Sequence, residues 1–344
     1  MTKSIDIGLM MPYSSLYPMG KLFKKGLTEA LDAHKDKMDY TLYPEFVGPA
    51  SIEEVNKADD KHASYNDVDV VTGIVNSKTV AEASVSFKNN THYRFGNLGE
   101  HLEDTKQLGR NIKVEGLDIW KDVYALTDYA LKTFSKNGAY AASFYDTGYA
   151  FAQMVDVALK DHGKNDFLPV LVSQMPPAGQ PSNVEEVVER IERLNPDWVF
   201  AAFCGSEALR FLKMWKKKGL YKKIKLLGLT FFAEKLLELD SSDVEVVSVI
   251  HQQASQIDIQ EYNRNHFYDL GIQVGRGILK EKGINENTNQ ISKDKMICSF
   301  QKLNDLNLQL VEKARVKTIK MNNKHVRNVL KQPMAAWQNP YMCI

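Results

Sequence analysis

The stretch Asp69 to Thr79, DVVTGIVNSKT, decides the fold: a short continuous apolar run breaks into an amide and a hydroxyl, then into a helical pattern. An apolar run of this length, bounded by turn residues, reads as a strand buried on both faces. The same order of residue types recurs at IDIGLMMPYSS (Ile5 to Ser15) and at DWVFAAFCGSE (Asp197 to Glu207). In open α/β sheets, ligands sit beyond the carboxyl ends of such strands, where helix N-termini supply free N–H groups. The three turns come from both halves of the chain, so a ligand touching all of them is expected between two lobes. That arrangement suits capture of a small molecule more than bond chemistry.

Outward from these segments, strand and helix patterns alternate. Strands are expected at Ile5 to Met11, Tyr40 to Val47, Val68 to Ile74 and His92 to Phe95, with helices at Lys21 to His34, Ile52 to Ala63 and Val80 to Lys88. The pattern restarts with a helix from Trp120 to Phe134. Strands follow at Ala139 to Tyr145, Phe167 to Ser173, Trp198 to Phe203, Ile224 to Leu229 and Val244 to Ile250. Helices at Gly148 to Asp161, Glu185 to Leu194 and Glu207 to Lys218 separate them, and the proline-rich loop Met175 to Ser182 excludes helix. The C-terminal third reads as helices Tyr262 to Lys282 and Lys293 to Lys302, then β-like stretches around Val316 to Met321 and Val326 to Trp337. Regular βα alternation with apolar strands predicts parallel sheets covered by helices on both faces, an α/β fold of two doubly wound lobes.

Bulk properties narrow the function. At 344 residues the chain exceeds the size of a single ordinary core, and a formal net charge of +1 gives no electrostatic case for nucleic acid. No apolar run approaches the roughly 20 residues of a membrane span. Three cysteines (Cys204, Cys298 and Cys343) without a C-x-x-C pair indicate neither a disulfide framework nor a zinc site. No clustered acids or H-E-x-x-H motif suggests a metal, and Gly271 to Gly283 lacks phosphate-loop spacing, so no cofactor is expected.

The order of elements and four segments resemble the leucine/isoleucine/valine-type solute-binding proteins of ATP-binding-cassette transporters, the type I periplasmic-binding fold. The segments are IDIGLMMPYSSLYPMGKLFKKGLTEAL, DVDVVTGIVNSKTVAEA, GRNIKVEGLDIWKD and DWVFAAFCGSEALRFLKMWKKKGLYKKIKLLGL. The resemblance implies two lobes joined by a three-segment hinge near Gly116–Leu117, Ile250–Gln252 and Arg315–Lys324. It puts residues 1–117 and 252–316 in the N-terminal lobe, and 118–251 and 317–344 in the C-terminal lobe. It also implies a small-molecule ligand held in an interlobe cleft, a membrane permease as partner, and a place outside the cytoplasmic membrane, soluble or lipid-anchored.

Position by position, the resemblance places first-lobe contacts at Ser14, Ser15 and Tyr17, at Asn76 and Ser77, and at Asn97, Leu98 and Gly99. Second-lobe contacts fall at Asp146 and Tyr149, at Phe203 and Cys204, and at Thr230 and Phe231. At the Ser77 position, family members hold a carboxylate. Where amino-acid-binding members carry an acid for the ligand ammonium, this chain has Thr230, which disfavours a simple α-amino acid, because a buried ammonium without a counter-charge is costly. Asp146 and Glu207 are acids that could substitute. The neighbouring aromatic residues suit a planar or aromatic carboxylate, or an amide. Two alternatives stand beside this reading: a cytoplasmic small-molecule sensor of the same fold, and a cysteine hydrolase using Cys204 at a helix N-terminus.

Overall fold

A computed structural model of the chain describes residues 3–13, 18–97, 108–116, 119–144, 151–177, 180, 182–240, 242–251, 266–284, 295–304 and 307–316. Twelve strands and nine α-helices are assigned among these residues. The strands are β1 (Lys3–Met11), β2 (Met38–Phe46), β3 (Val70–Ile74), β4 (His92–Asn97), β5 (Ile112–Gly116), β6 (Gly138–Ala142), β7 (Val170–Val172), β8 (Trp198–Ala202), β9 (Lys225–Gly228), β10 (Glu245–His251), β11 (Lys295–Asn304) and β12 (Asn307–Val316). The helices are α1 (Met19–Asp32), α2 (Ile52–Asp59), α3 (Ser77–Ala83), α4 (Ile119–Thr133), α5 (Phe151–Asp161), α6 (Val184–Leu194), α7 (Gly205–Lys217), α8 (Thr230–Ala233) and α9 (His266–Glu281). They divide between two compact units, each with its own sheet.

The first unit holds an all-parallel sheet in the order β2-β1-β3-β4-β5. Every residue of β3 is buried, as its uninterrupted apolar run requires for a central strand covered on both faces. Helix α2 opens on a reciprocal cap: the Ser51 hydroxyl accepts from the Glu54 N–H at 3.3 Å, and the Ser51 N–H donates to the Glu54 carboxylate at 3.2 Å. It continues as a π-helical turn, Asp60–Tyr65, which buries the imidazole of His62 against Gly8 of β1. Helix α9 returns to this unit and crosses α1 at backbone distance. A Cβ on Gly271 would lie 2.1 Å from the Phe23 carbonyl oxygen, and one on Gly26 would lie 2.0 Å from that of Tyr268. On the sheet side, the buried Arg94 of β4 binds Glu281 of α9 at 2.7 Å and also pairs with Glu115 of β5.

The second unit holds a seven-stranded sheet in the order β12-β11-β10-β9-β8-β6-β7. Five strands run parallel, and β11 and β12 add as an antiparallel hairpin on β10. Its core gathers Phe203, Phe211, Trp215 and Phe232 with the apolar faces of α6 and α7.

Both doubly wound sheets agree with the sequence reading. Three elements differ from expectation. The expected helix Lys293 to Lys302 is strand β11, and a further strand, Asn307–Val316, stands where the sequence reading gave no element, while the β-like run expected at Val316 to Met321 lies, beyond Val316, outside the described residues. Lysine, methionine, glutamine and leucine favour helix in isolation, but seven residues paired with β10 override that local preference. This pairing also places 295–316 in the second sheet, not with residues 1–117. Strand β5 was not anticipated; its exposed edge breaks the apolar pattern into Ile-Lys-Val-Glu-Gly. The stretch Val326 to Trp337 lies outside the described residues.

Glycine to alanine inside a helix ordinarily stabilises by about 1 kcal/mol. At Gly271 the sign should reverse: the new methyl forces α9 off α1, and Gly271→Ala is expected to cost about 1–3 kcal/mol in urea denaturation.

Two buried groups give opposite pH dependence. Burial pushes the His62 imidazole down from its ordinary 6.5 to about 4, so the unfolded chain takes a proton that the native ring refuses. Stability from this group is complete above pH 6.5 and is lost as pH falls toward 4, by about 3 kcal/mol in all. Burial raises the Asp59 carboxyl from 3.8 to about 6, against the lowering effect of its bond to Tyr93. The native state therefore gains stability from Asp59 as pH falls through 6 toward 3.8. Asp59→Asn should uncover the histidine contribution, making the acid-side decline between pH 6.5 and 4 steeper than in the parent chain. Urea titrations at pH 7 and 4.5, with the His62 proton resonance followed by NMR, read both effects.

Candidate ligand-binding site

Where a parallel sheet is wound in both directions from one strand, the connections leave a crevice at the carboxyl ends of two neighbouring strands. In the first unit the chain passes from β1 to β2 on one side and later to β3 on the other, so the crevice lies at the ends of β1 and β3. In the second unit it lies at the ends of β6 and β8, since β6 neighbours β7 on one side and β8 on the other. The three segments singled out in the sequence contain β1, β3 and β8.

At the first crevice, β3 ends and the chain turns through Val75, whose N–H donates to the Gly96 carbonyl at 3.0 Å. Asn76 then caps α3: its Oδ1 accepts from the Thr79 N–H at 2.9 Å. Its Nδ2 is buried and has no hydrogen-bond partner among the described residues. Ser77 follows, and its Oγ accepts from Nδ2 of Asn97, at the end of β4, at 2.6 Å. The structure thus joins Asn76, Ser77 and Asn97, predicted separately from two strand ends, into one buried amide–hydroxyl cluster. Tyr13, beyond β1, is held by its N–H on the Gly48 carbonyl at 2.9 Å and is 58% exposed. Ser14, Ser15, Tyr17, Leu98 and Gly99 lie outside the described residues.

At the second crevice, Ser143 and Ser173 close the strand ends, with the Ser143 N–H donating to the Ala202 carbonyl at 3.0 Å and the Phe144 N–H donating to Ser173 Oγ at 2.9 Å. Phe203 is fully buried and packs on Phe211 with ring centroids 4.8 Å apart, so its ring anchors the turn from the core. Cys204 is the N-cap of α7 in ordinary extended geometry, φ −128° and ψ 171°, and Gly205 makes the sharp entry with φ +53°. A strained nucleophile elbow is therefore not present at Cys204. Thr230 opens α8, and Phe231 is partly buried against the second core. Asp146 and Tyr149 lie outside the described residues.

The polar partner that sequence reasoning missed is Ser182. Its Oγ donates to Oε1 of Glu207 in the first turn of α7, and both side chains are buried. Arg210, one turn along, donates to the Ser182 carbonyl at 2.8 Å and to Glu185 at 2.9 Å. No local signal in the sequence names this partner, since Ser182 lies 25 residues from Glu207 across a proline-rich loop. Among the described residues, no group of three or more His, Cys, Asp or Glu side chains could hold a metal, and no helix is long and apolar enough to cross a membrane.

Comparison with known proteins agrees with this geometry. The periplasmic binding protein family profile matches residues 61–263. Similar solved structures include an ABC-transporter solute-binding protein from R. palustris in complex with benzoate, at 16% identity and TM-score 0.67, covering 91% of this chain and 96% of that one. Another, from Rhodopseudomonas palustris BisB5 in complex with 3,4-dihydroxybenzoic acid, has 14% identity and TM-score 0.70, covering 93% and 99%. A possible leucine/isoleucine/valine-binding protein from Rhodopirellula baltica has 13% identity and TM-score 0.63, covering 90% and 97%. No curated protein matches the sequence.

Proposed function

The chain belongs to the periplasmic binding protein family, a family of binders and not of enzymes, and on that premise we propose that it captures a small aromatic carboxylate for uptake by a membrane ABC transporter. The observation that carries this reading is the buried Asn76–Ser77–Asn97 cluster at the first crevice. It offers the Asn76 Nδ2 amide, buried and without a hydrogen-bond partner among the described residues, beside the Ser77 hydroxyl at the start of α3. An amide donor held beside a hydroxyl at one point suits a carboxylate. Ser14, Ser15 and Tyr17, with Leu98 and Gly99, complete the first unit's contacts in this proposal. The second unit contributes Asp146, Tyr149, Cys204, Thr230 and Phe231, with Phe203 fixing the turn.

The aromatic class is preferred over α-amino acids for two reasons. Thr230 is uncharged where the resemblance implies an acid for the ammonium group, and the relatives with bound benzoate and dihydroxybenzoate share the fold. Action outside the cytoplasmic membrane, with a permease as partner, belongs to the same proposal.

A thermal-shift series with benzoate, hydroxylated benzoates and branched-chain amino acids tests it. At 100 times its dissociation constant a ligand stabilises the folded protein by about 2.7 kcal/mol, so an aromatic acid should raise the midpoint by several degrees. Ser77→Ala should weaken that binding about tenfold, the worth of one hydrogen bond to a charged group. Shifts by amino acids alone would overturn the aromatic assignment.

A further inference from the structure

The second unit carries an open cavity of about 140 Å³ between α5 and the end of its sheet formed by β6 and β7. None of its lining residues is among those named at either crevice. Ala152, Val155, Asp156 and Leu159 line it from α5, at the i, i+3, i+4, i+7 spacing of one helix face. Tyr140 and Val170 stand opposite each other in the pairing of β6 with β7, so their side chains share the sheet face that lines the cavity. The Tyr140 ring is itself stacked on Phe200 of β8, with centroids 5.8 Å apart. Phe167 and Leu168, in the approach to β7, line the remaining side. The space follows from the sequence at two points: β7 has only three residues and ends its sheet, and the helix face holds alanine at 152.

Phe167 is 68% exposed and Val170 50%, so apolar surface at this cavity meets solvent. The volume suits a single six-membered ring, since apolar cavities of about 150 Å³ take up benzene. Charge narrows the class further. Asp156, itself buried, is the one charged lining residue, and Lys160 answers it at 2.5 Å. The same ammonium lies 5.7 Å from the centroid of the Phe167 ring. An anionic guest would sit beside the buried carboxylate and a cationic one beside the ammonium, each without a counter-charge of its own. The other polar lining residues, Tyr140 and Gln153, are neutral. We propose that this cavity is a second ligand site, separate from both crevices, for a compact uncharged apolar molecule the size of one ring. The site is contained within one unit and does not depend on what the crevices bind.

Nuclear magnetic resonance of the full chain, with isotopically labelled alanine, leucine and valine methyl groups, tests the proposal. The titrants are toluene, benzoate and benzylamine, which share a ring and differ in charge. Toluene should shift the methyl resonances of Ala152, Val155, Leu159, Leu168 and Val170 saturably. Benzoate and benzylamine should act on the same methyls about tenfold more weakly or less, because each would bury an unpaired charge. Ala152→Leu puts a larger side chain into the cavity and should weaken toluene binding by about tenfold or more. Phe167→Ala removes a largely exposed wall and should weaken it by about threefold; it carries the test should Ala152→Leu fail to fold. Absence of saturable shifts at these methyls, an equal response there to benzoate, or toluene affinity unchanged in the folded variant would overturn the site. Benzoate acting only on methyls outside the cavity would support the separation of the two sites.

Discussion

Parallel pairing of one strand with two neighbours that the chain reaches in opposite directions is the constraint from which the rest of this structure follows. β1 does this between β2 and β3, and β6 does it between β7 and β8. A right-handed crossover on each side sends one connecting helix over one face and the next over the other. The backbone beyond the two central strands is then not covered by either helix. Polar side chains can accumulate there without being buried in the apolar layers, and the sequence puts Asn76, Ser77 and Asn97 at one such place and Ser182 with Glu207 at the other.

The polar groups at these points are mostly occupied in ways that fix geometry. The Asn76 carbonyl caps α3, the Asn97 amide holds Ser77, and the Ser182 hydroxyl holds Glu207. In each case one side of the group is committed to the scaffold. A carboxylate or amide fixed in this way loses little side-chain freedom when a ligand arrives, which keeps the entropic penalty of association small. The same economy is absent from the ion network of Arg94, Glu115, Lys113 and Glu281, which joins β4 and β5 to α9 and has all its charges answered within the unit.

How much of this could be read from the chain follows from how local each signal is. Central strands such as β3 and β8 are legible because burial on both faces demands an uninterrupted apolar run, and VVTGI and WVFAA have almost no alternative. The caps at Ser51 and Asn76, which the structure shows, are equally local, with donor and acceptor three residues apart. Strand β11 reads locally as helix because its alternating pattern is diluted by lysine and glutamine, and only its pairing with β10 settles the conformation. Asn76, Ser77 and Asn97 could be named singly, but their meeting depends on the register of β3 with β4, in which Ile74 lies opposite Gly96. Ser182 could not be found at all, because its relation to Glu207 spans 25 residues and a proline-rich loop.

The two sheets also differ at the side away from their crevices, and the difference bears on how each unit can work. The first sheet ends at β5, an exposed-edge strand braced by charges, and recruits α9 from far along the chain to cover it. The second sheet grows by two antiparallel strands, which cover β10 and bury Ile297, Cys298 and Phe300. Each unit therefore depends on chain that returns after the other unit's strands have been made, α9 to the first and β11–β12 to the second. The first sheet lacks its covering helix, and the second its last two strands, until that return has occurred, so each unit is a scaffold in which distant segments are locked together. A binding site on such a scaffold is rigid within each unit, and the register that brings Asn97 to Ser77, or Ser182 to Glu207, is fixed by the same pairings that hold the sheets.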